Sequence, residues 1–77
     1  MKYFNIAILE GEVESIDNCR EALYIKIINE NEIFSCKILN KKLRKIIKYL
    51  KEKKRILVSG KLSEDGFVEI KEIKFLN

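Results

Sequence analysis

Hydrophobic and polar residues alternate along most of the chain, and a period of two predicts β-strands with one buried face. In the first stretch, Leu9, Gly11 and Val13 alternate with glutamates. Four later stretches have the same period, and residues that favour turns separate most of them. The pattern therefore predicts five strands, over residues 3–16, 22–28, 32–39, 56–62 and 67–76.

Residues 40–55 follow a different period. Their apolar side chains recur at the i, i+3, i+4, i+7 spacing of an amphipathic helix, and they are Leu43, Ile46, Ile47 and Leu50. Asn40 is suited to cap the first turn, because its side-chain oxygen accepts a bond from a free backbone N–H group. We therefore expect one α-helix between the third and fourth strands.

Glycines and polar pairs predict where the strands bend and turn. Gly11 lies inside the long first strand, which predicts a bulge or bend that lets one strand serve two sheets. The polar run 29–31 predicts a hairpin between the second and third strands. The Asp65–Gly66 pair predicts a tight turn between the fourth and fifth strands, and an irregularity is expected before Ile73.

The length and composition fit one compact domain over residues 1–77. The chain has 47% hydrophobic residues, no proline and three glycines, which is typical of a folded domain with short turns. Its net charge of +4 is unevenly spread. Residues 40–55 hold nine of the sixteen cations and one of the twelve anions, so the rest of the chain is net acidic. Any inference from positive charge to a nucleic-acid ligand therefore depends on this segment.

Several classes of function find no support in the sequence. There is no signal peptide and no long apolar run, so a cytoplasmic protein without a membrane partner is expected. The chain has no histidine, and Cys19 and Cys36 are too few for a zinc site, so we expect no metal or other cofactor and two reduced thiols. No catalytic set or phosphate-binding loop is present, and we expect a protein that is not an enzyme. The first-strand glutamates fit a solvated strand edge better than a cation site.

Short motifs in four of the predicted strands resemble a known family. They are Leu9-x-Gly11-x-Val13, Tyr24-x-Lys26 followed by Ile27 and Ile28, the run 56–62, and Asp65-Gly66 followed by Val68-x-Ile70-x-x-Ile73. Together with the strand order, they resemble OB-fold nucleic-acid-binding domains of the tRNA-anticodon and single-strand-binding types. The resemblance implies a mainly β protein, a five-stranded Greek-key barrel with one α-helix between strands three and four. The helix stripe would then close one end of the barrel.

The same resemblance implies a ligand surface on the outer face of strands two and three. The candidate binding residues are Arg20, Tyr24, Lys26, Ser35, Lys37, Lys61 and Phe67. An exposed ring stacks on a base, and lysines attract phosphates without reading sequence. The alternative is an ordinary strand surface with solubilising lysines. The acidic pair Glu64 and Asp65 in the loop between strands four and five would repel phosphate.

These observations favour single-stranded nucleic acid as the ligand, with DNA slightly favoured over RNA. A secondary basic surface on the predicted helix consists of Lys41, Lys45 and Lys48, although the helix is better explained as a plug with solvated cations. The main alternative is a protein-interaction module, a homodimer or a subunit of a larger replication or translation complex, that uses outward Ile28, Ile33 and Leu57. A third possibility is a translation factor that resembles the small bacterial initiation factor one.

Overall fold

The computed structural model describes residues 6–76, and residues 3–5 of the predicted first strand lie outside that range. Within it, five strands and one short 3-10 helix form in the predicted order. The elements are β1 (Ile6–Asn18), β2 (Leu23–Asn29), β3 (Glu32–Ile38), the 3-10 helix (Leu43–Lys48), β4 (Arg55–Leu62) and β5 (Val68–Phe75). No helix in this part of the chain is long and apolar enough to span a membrane.

The five strands close into a barrel with the order β1-β2-β3-β5-β4. All neighbouring pairs are antiparallel except β3 and β5, which pair in parallel through Cys36 with Val68 and Lys37 with Glu69. This short parallel contact closes the sheet and leaves β3 and β5 side by side. The predicted mainly β fold, a five-stranded barrel with a helix between strands three and four, is confirmed.

The first strand bends as the glycine predicts. The residues from Ile6 to Glu12 pair with β4, and those from Glu12 to Asn18 pair with β2. The change of partner occurs next to Gly11, which is buried. A Cβ atom there would overlap the backbone of Ile28, so only glycine fits. One long strand therefore serves both halves of the barrel, as expected.

The alternating hydrophobic residues fill the barrel. The largest fully buried side chains come from all five strands and are Val13, Leu23, Ile25, Ile27, Cys36, Ile38, Ile56, Val58 and Ile70. Along β2 and β3 the alternation of the sequence is kept, with Leu23, Ile25, Ile27, Cys36 and Ile38 buried. Leu62 departs from the alternation of β4, because it lies at the strand end and is 47% exposed. The predicted irregularity in β5 is also present, since the pairing register shifts between Ser59 and Gly60 opposite Lys71.

The segment between β3 and β4 differs from its prediction in length and type. The 3-10 helix has 6 residues, where the sequence predicts an α-helix over residues 40–55. Like charges three or four positions apart, such as Arg44 with Lys48, oppose a longer helix. The chain must also leave the helix early, because the Lys53 amide donates to Val13 and the Lys54 carbonyl accepts from Val13, both at 2.8 Å. Lys53 and Lys54, which the periodicity assigns to a helix, therefore hydrogen-bond to β1 instead.

The apolar stripe still performs the predicted packing. Leu50 is buried, and Leu43, Ile46 and Ile47 pack against the core. The Asn40 side-chain oxygen accepts bonds from the amides of Lys42 at 2.8 Å and Leu43 at 3.1 Å, which is the capping role expected of it. The segment therefore closes one end of the barrel and leaves its lysines outside.

Candidate functional site

The pairing of β2 with β3 brings four of the predicted site residues into two adjacent rows. Tyr24 lies opposite Lys37, and Lys26 lies opposite Ser35. Directly opposed side chains in antiparallel strands have Cβ atoms about 4.5–5.5 Å apart, so each pair is in contact range. On the other side of β2, Ser15 and Asp17 of β1 extend the same two rows. The rows form a continuous outer surface, which we call the β2–β3 face.

Phe67 completes this face from the turn between β4 and β5. The ring centroids of Tyr24 and Phe67 lie 5.6 Å apart with an angle of 61° between the planes, an edge-to-face contact. Gly66, at φ 87°, and the bond from its amide to the Ser63 carbonyl at 3.0 Å form the predicted turn. The turn directs Phe67 towards the β2–β3 face, where its ring lies against that of Tyr24.

Lys37 is held by the acidic turn. Its Nζ lies 2.7 Å from Asp65 Oδ2 and 5.7 Å from the centre of the Phe67 ring. The second carboxylate oxygen of Asp65 accepts the Phe67 amide at 3.0 Å. The hydrogen bond to Asp65 raises the pKa of Lys37, while the same bond, followed by that from the Phe67 amide, lowers the pKa of Asp65. Both groups are therefore ionised at neutral pH, and Lys37 already has an anionic partner in the free protein.

A depression of about 350 Å³ lies between these side chains. It is lined by Ser15, Asp17, Tyr24, Ile25, Lys26, Ser35, Cys36 and Phe67. Burial, followed by the charge of Glu21, raises the pKa of the Tyr24 phenol, which therefore stays neutral and is able to donate a hydrogen bond to a ligand. The volume lies within the range of small-ligand pockets, and the lining combines flat rings with hydroxyl groups and one lysine.

The remaining predicted residues lie around this depression. Lys61 lines a second depression, of about 490 Å³, together with Lys37, Glu64, Asp65 and Glu69. Lys37 stands between the two depressions, so Lys61 adjoins the β2–β3 face in mainly acidic surroundings. Arg20 is exposed in the turn between β1 and β2 and does not line either depression.

The lysines of the secondary basic surface are exposed along the segment that joins β3 to β4. Lys41 and Lys45 lie on its outer side, and Lys48 ends the 3-10 helix beside Tyr49. Arg44 attaches this segment to the turn between β1 and β2: its guanidinium donates to the Arg20 carbonyl at 3.1 Å and to Asn18 Oδ1 at 2.9 Å. The basic segment therefore starts at the Arg20 rim of the β2–β3 face.

Solved structures with the same architecture share little sequence with this chain. A mitochondrial single-stranded DNA-binding protein from S. cerevisiae superposes with a TM-score of 0.85 at 13% identity, covering 99% of this chain and 98% of that one. The domain has the OB-fold. Asparaginyl-tRNA synthetase from Pyrococcus horikoshii matches with a TM-score of 0.78 at 16% identity over 94% of this chain and 19% of the synthetase chain. No family model and no curated protein matches the sequence.

Sequence reasoning missed three residues of this OB-fold surface. Ser15 and Asp17 belong to it because the register of β1 shifts between Val13 and Ser15, which brings Ser15 opposite Lys26 and Asp17 opposite Tyr24. A strict period of two would place both residues on the side of the buried Val13, so alternation alone does not identify them. Asp65 is recognisable as an acid in the turn, but its ion pair with Lys37 joins residues 28 positions apart and has no local signal.

The charge of the β2–β3 face is nearly balanced. Lys26 and Lys37 are opposed by Asp17 and Asp65, and Asp65 is in direct contact with Lys37. The positive charge of the protein lies instead on the segment between β3 and β4. Rings and cations are therefore largely separated, and a ligand that needs both has to contact more than one surface.

Proposed function

We propose that this OB-fold domain binds single-stranded nucleic acid on the β2–β3 face, with DNA slightly favoured over RNA. The observation that carries the proposal is the edge-to-face pair of Tyr24 and Phe67 beside a depression that contains Lys26. A base stacks on the exposed side of an aromatic ring, and a neighbouring ammonium group attracts its phosphate. Ser35 and the Tyr24 hydroxyl supply hydrogen bonds to base edges. The role is binding, without a chemical step.

The fold comparison supports this proposal. A barrel of the same architecture over almost the full length of both chains is found in a single-stranded DNA-binding protein. OB-folds use the outer face of strands two and three, with the adjoining loops, to bind oligonucleotides. In this chain that face holds the paired rings. The low identity of 13% means that the residues must be tested one by one.

Fluorescence anisotropy of labelled oligo-dT and oligo-U tests the proposal. One phosphate contact, from Lys26, predicts a slope of about −0.7 for log K against log salt in the wild type, because Lys37 is already paired with Asp65. Loss of one stacked base in Tyr24→Ala should weaken binding by between about 5-fold and 150-fold. The ratio of the two affinities decides the preference for DNA.

Tyr24→Phe is the matched control, because it keeps the ring and removes only the hydroxyl. We expect this variant to lose less affinity than Tyr24→Ala, because it keeps the stacking ring and loses only a hydrogen bond. Absence of binding to either oligonucleotide at low salt contradicts the proposal, and so does binding that is indifferent to both Tyr24→Ala and salt.

The second candidate function is that of a protein-interaction module, and exposed aliphatic side chains favour it. Ile33 is 55% exposed as predicted, whereas Ile28 and Leu57 are half-buried. Ile6 and Ile8 of β1, which are not among the predicted outward aliphatic residues, are 72% and 68% exposed. Isolated exposed aliphatics are common, but several near one side of a small barrel fit a contact with a second protein.

Sedimentation of the purified protein separates the two candidates. If protein contact is the main role, the wild type should form a stable dimer or larger complex that Ile8→Glu dissociates, and nucleic-acid binding should be absent. A monomer that binds oligonucleotides with the same affinity before and after Ile8→Glu contradicts the interaction module. Binding to small ribosomal subunits would instead favour the translation-factor role.

A further inference from the structure

A second aromatic and basic cluster lies at the other end of β5. Tyr49 and Phe75 are in edge-to-face contact, with ring centroids 6.4 Å apart and 71° between the planes. Lys54 Nζ lies 5.7 Å from the centre of the Phe75 ring. These residues line a depression of about 670 Å³ with Ile46, Lys48 and Lys51. We call this group the Tyr49 cluster.

The Tyr49 ring is held in position although it is 65% exposed. The backbone amide of Tyr49 donates to the Ile46 carbonyl at 2.8 Å, and the next residue, Leu50, is buried in the core. Phe75 is fixed from the other side, because the Leu76 amide donates to the Arg55 carbonyl at 3.0 Å. Two anchored backbone segments therefore bring the pair of rings to the surface, where a planar ligand can stack on the exposed Tyr49 ring.

The charge of the Tyr49 cluster is unlike that of the β2–β3 face. Three lysines, Lys48, Lys51 and Lys54, line it, and no carboxylate is among the lining residues within 6–76. Glu52 is the single anion in residues 40–55. A ligand that matches this surface carries repeated negative charge and a flat ring, and a single-stranded nucleic acid has both.

A lipid surface fits the Tyr49 cluster less well. An amphipathic segment binds a membrane by burying its apolar stripe among the acyl chains. Here the stripe of Leu43, Ile46, Ile47 and Leu50 packs on the barrel core. Between Asn40 and Lys54, Tyr49 is the one large hydrophobic side chain that is exposed.

We propose that the Tyr49 cluster is a second contact for the same single strand that binds the β2–β3 face, which makes this inference dependent on the proposed function. Phe67 precedes β5 and Phe75 ends it, so the eight residues of β5 separate the two aromatic pairs by about 25 Å. A short oligonucleotide fills one surface, and a longer one passes along the basic segment and reaches both. OB-folds occupy between about 4 and 16 nucleotides, which allows either mode.

Affinities for two lengths of oligo-dT test the second contact. The short probe has about five nucleotides and the long probe about twenty. We expect Tyr49→Ala to weaken binding of the long probe by at least about fivefold and to leave the short probe within about twofold of wild type. Tyr49→Phe should behave as wild type with both probes. Tyr24→Ala, in contrast, should weaken both.

The lysines give an independent measurement. The double variant Lys48→Gln/Lys51→Gln should reduce the salt slope for the long probe by about 1.4 and leave the slope for the short probe unchanged. Lys74→Gln is the matched control, because Lys74 neighbours Phe75 in β5 but does not line the cluster. It should change neither slope by more than about 0.3, well below the 0.7 of one phosphate contact.

The possible results separate the two proposals. If the wild type binds the short probe through Tyr24 and Tyr49→Ala leaves the long probe unchanged, the second contact is overturned and the proposed function stands. Equal weakening of both probes by Tyr49→Ala also overturns it. If Tyr49→Ala releases the protein from phosphatidylserine vesicles and leaves the long probe unchanged, a lipid is the occupant and the proposal is wrong. Failure of the wild type to bind either probe overturns both proposals.

Discussion

The ion pair between Lys37 and Asp65 predicts that Asp65 lowers the affinity of the β2–β3 face for phosphate. Lys37 Nζ lies 2.7 Å from the carboxylate, and 16% of the lysine side chain is exposed. A phosphate that approaches Lys37 must displace Asp65 and also meets its negative charge. Asp65→Asn removes that charge and keeps an oxygen that can accept the Phe67 amide, so the turn is retained.

The size of the expected effect follows from counterion release. One additional phosphate contact steepens the slope of log K against log salt by about 0.7 for a single strand. We therefore expect Asp65→Asn to bind short oligo-dT about fivefold more tightly at about 0.1 M salt and to match the wild type near 1 M. The assay is anisotropy of labelled oligo-dT over a salt series, with circular dichroism melting to show that the variant is folded.

Glu64→Gln is the control, because it removes a carboxylate from the same turn and Glu64 is not the partner of Lys37. It should change the affinity less than Asp65→Asn and leave the slope unchanged. Equal effects of the two variants, or an unchanged slope for Asp65→Asn, would refute the idea that Asp65 occupies the phosphate position.

Four further predictions concern stability and reactivity. The pKa of Asp65 is lowered from 3.8, so the contribution of this carboxylate to stability is present above that pH and is lost as pH falls. The melting temperatures of wild type and Asp65→Asn should therefore differ at neutral pH and converge well below pH 3.8. Gly60→Ala should lower the free energy of unfolding in urea by about 1–3 kcal/mol, because its Cβ would overlap the Glu69 backbone. Glu30→Gly should raise it by about 0.5–1 kcal/mol, since Glu30 has φ 58° in the β2–β3 turn. A maleimide should label the half-exposed Cys19 of the native protein and spare Cys36, whose burial raises its pKa to about 12.

The strands were predictable because they depend on local pattern. The period of two set the inward faces of β2 and β3, and Gly11 marked the bend that divides β1 between two partners. The helix was less predictable. The periodicity of Leu43, Ile46, Ile47 and Leu50 correctly indicated a face packed on the core, but it extended the helix over residues that pair with Val13 in the structure. A contact between residues 40 positions apart leaves no trace in local spacing.

The candidate site divides in the same way. The outward positions of Tyr24, Lys26, Ser35 and Lys37 follow from alternation within two neighbouring strands, and their cross-strand pairing follows from the hairpin. The edge-to-face contact between Tyr24 and Phe67 requires β5 to lie beside β3, which depends on the order of strands in the closed barrel. That order came from a resemblance to a family and not from any spacing in the chain.

The separation of rings from cations has a consequence for how a ligand is held. At the β2–β3 face each lysine has an acidic residue nearby, so the long-range attraction of a phosphate is weak there. In the proposed complex, stacking of bases on the rings must supply most of the affinity for the strand. The segment between β3 and β4 has the opposite character, with nine of the sixteen cations in residues 40–55 and one exposed ring, Tyr49. Arg44 attaches that segment to the turn at one rim of the face. In the proposed function, the lysines would attract a single strand and bring it next to the rings. Residues 51–54 lie outside any helix, and their lysines are in solvent or beside Phe75.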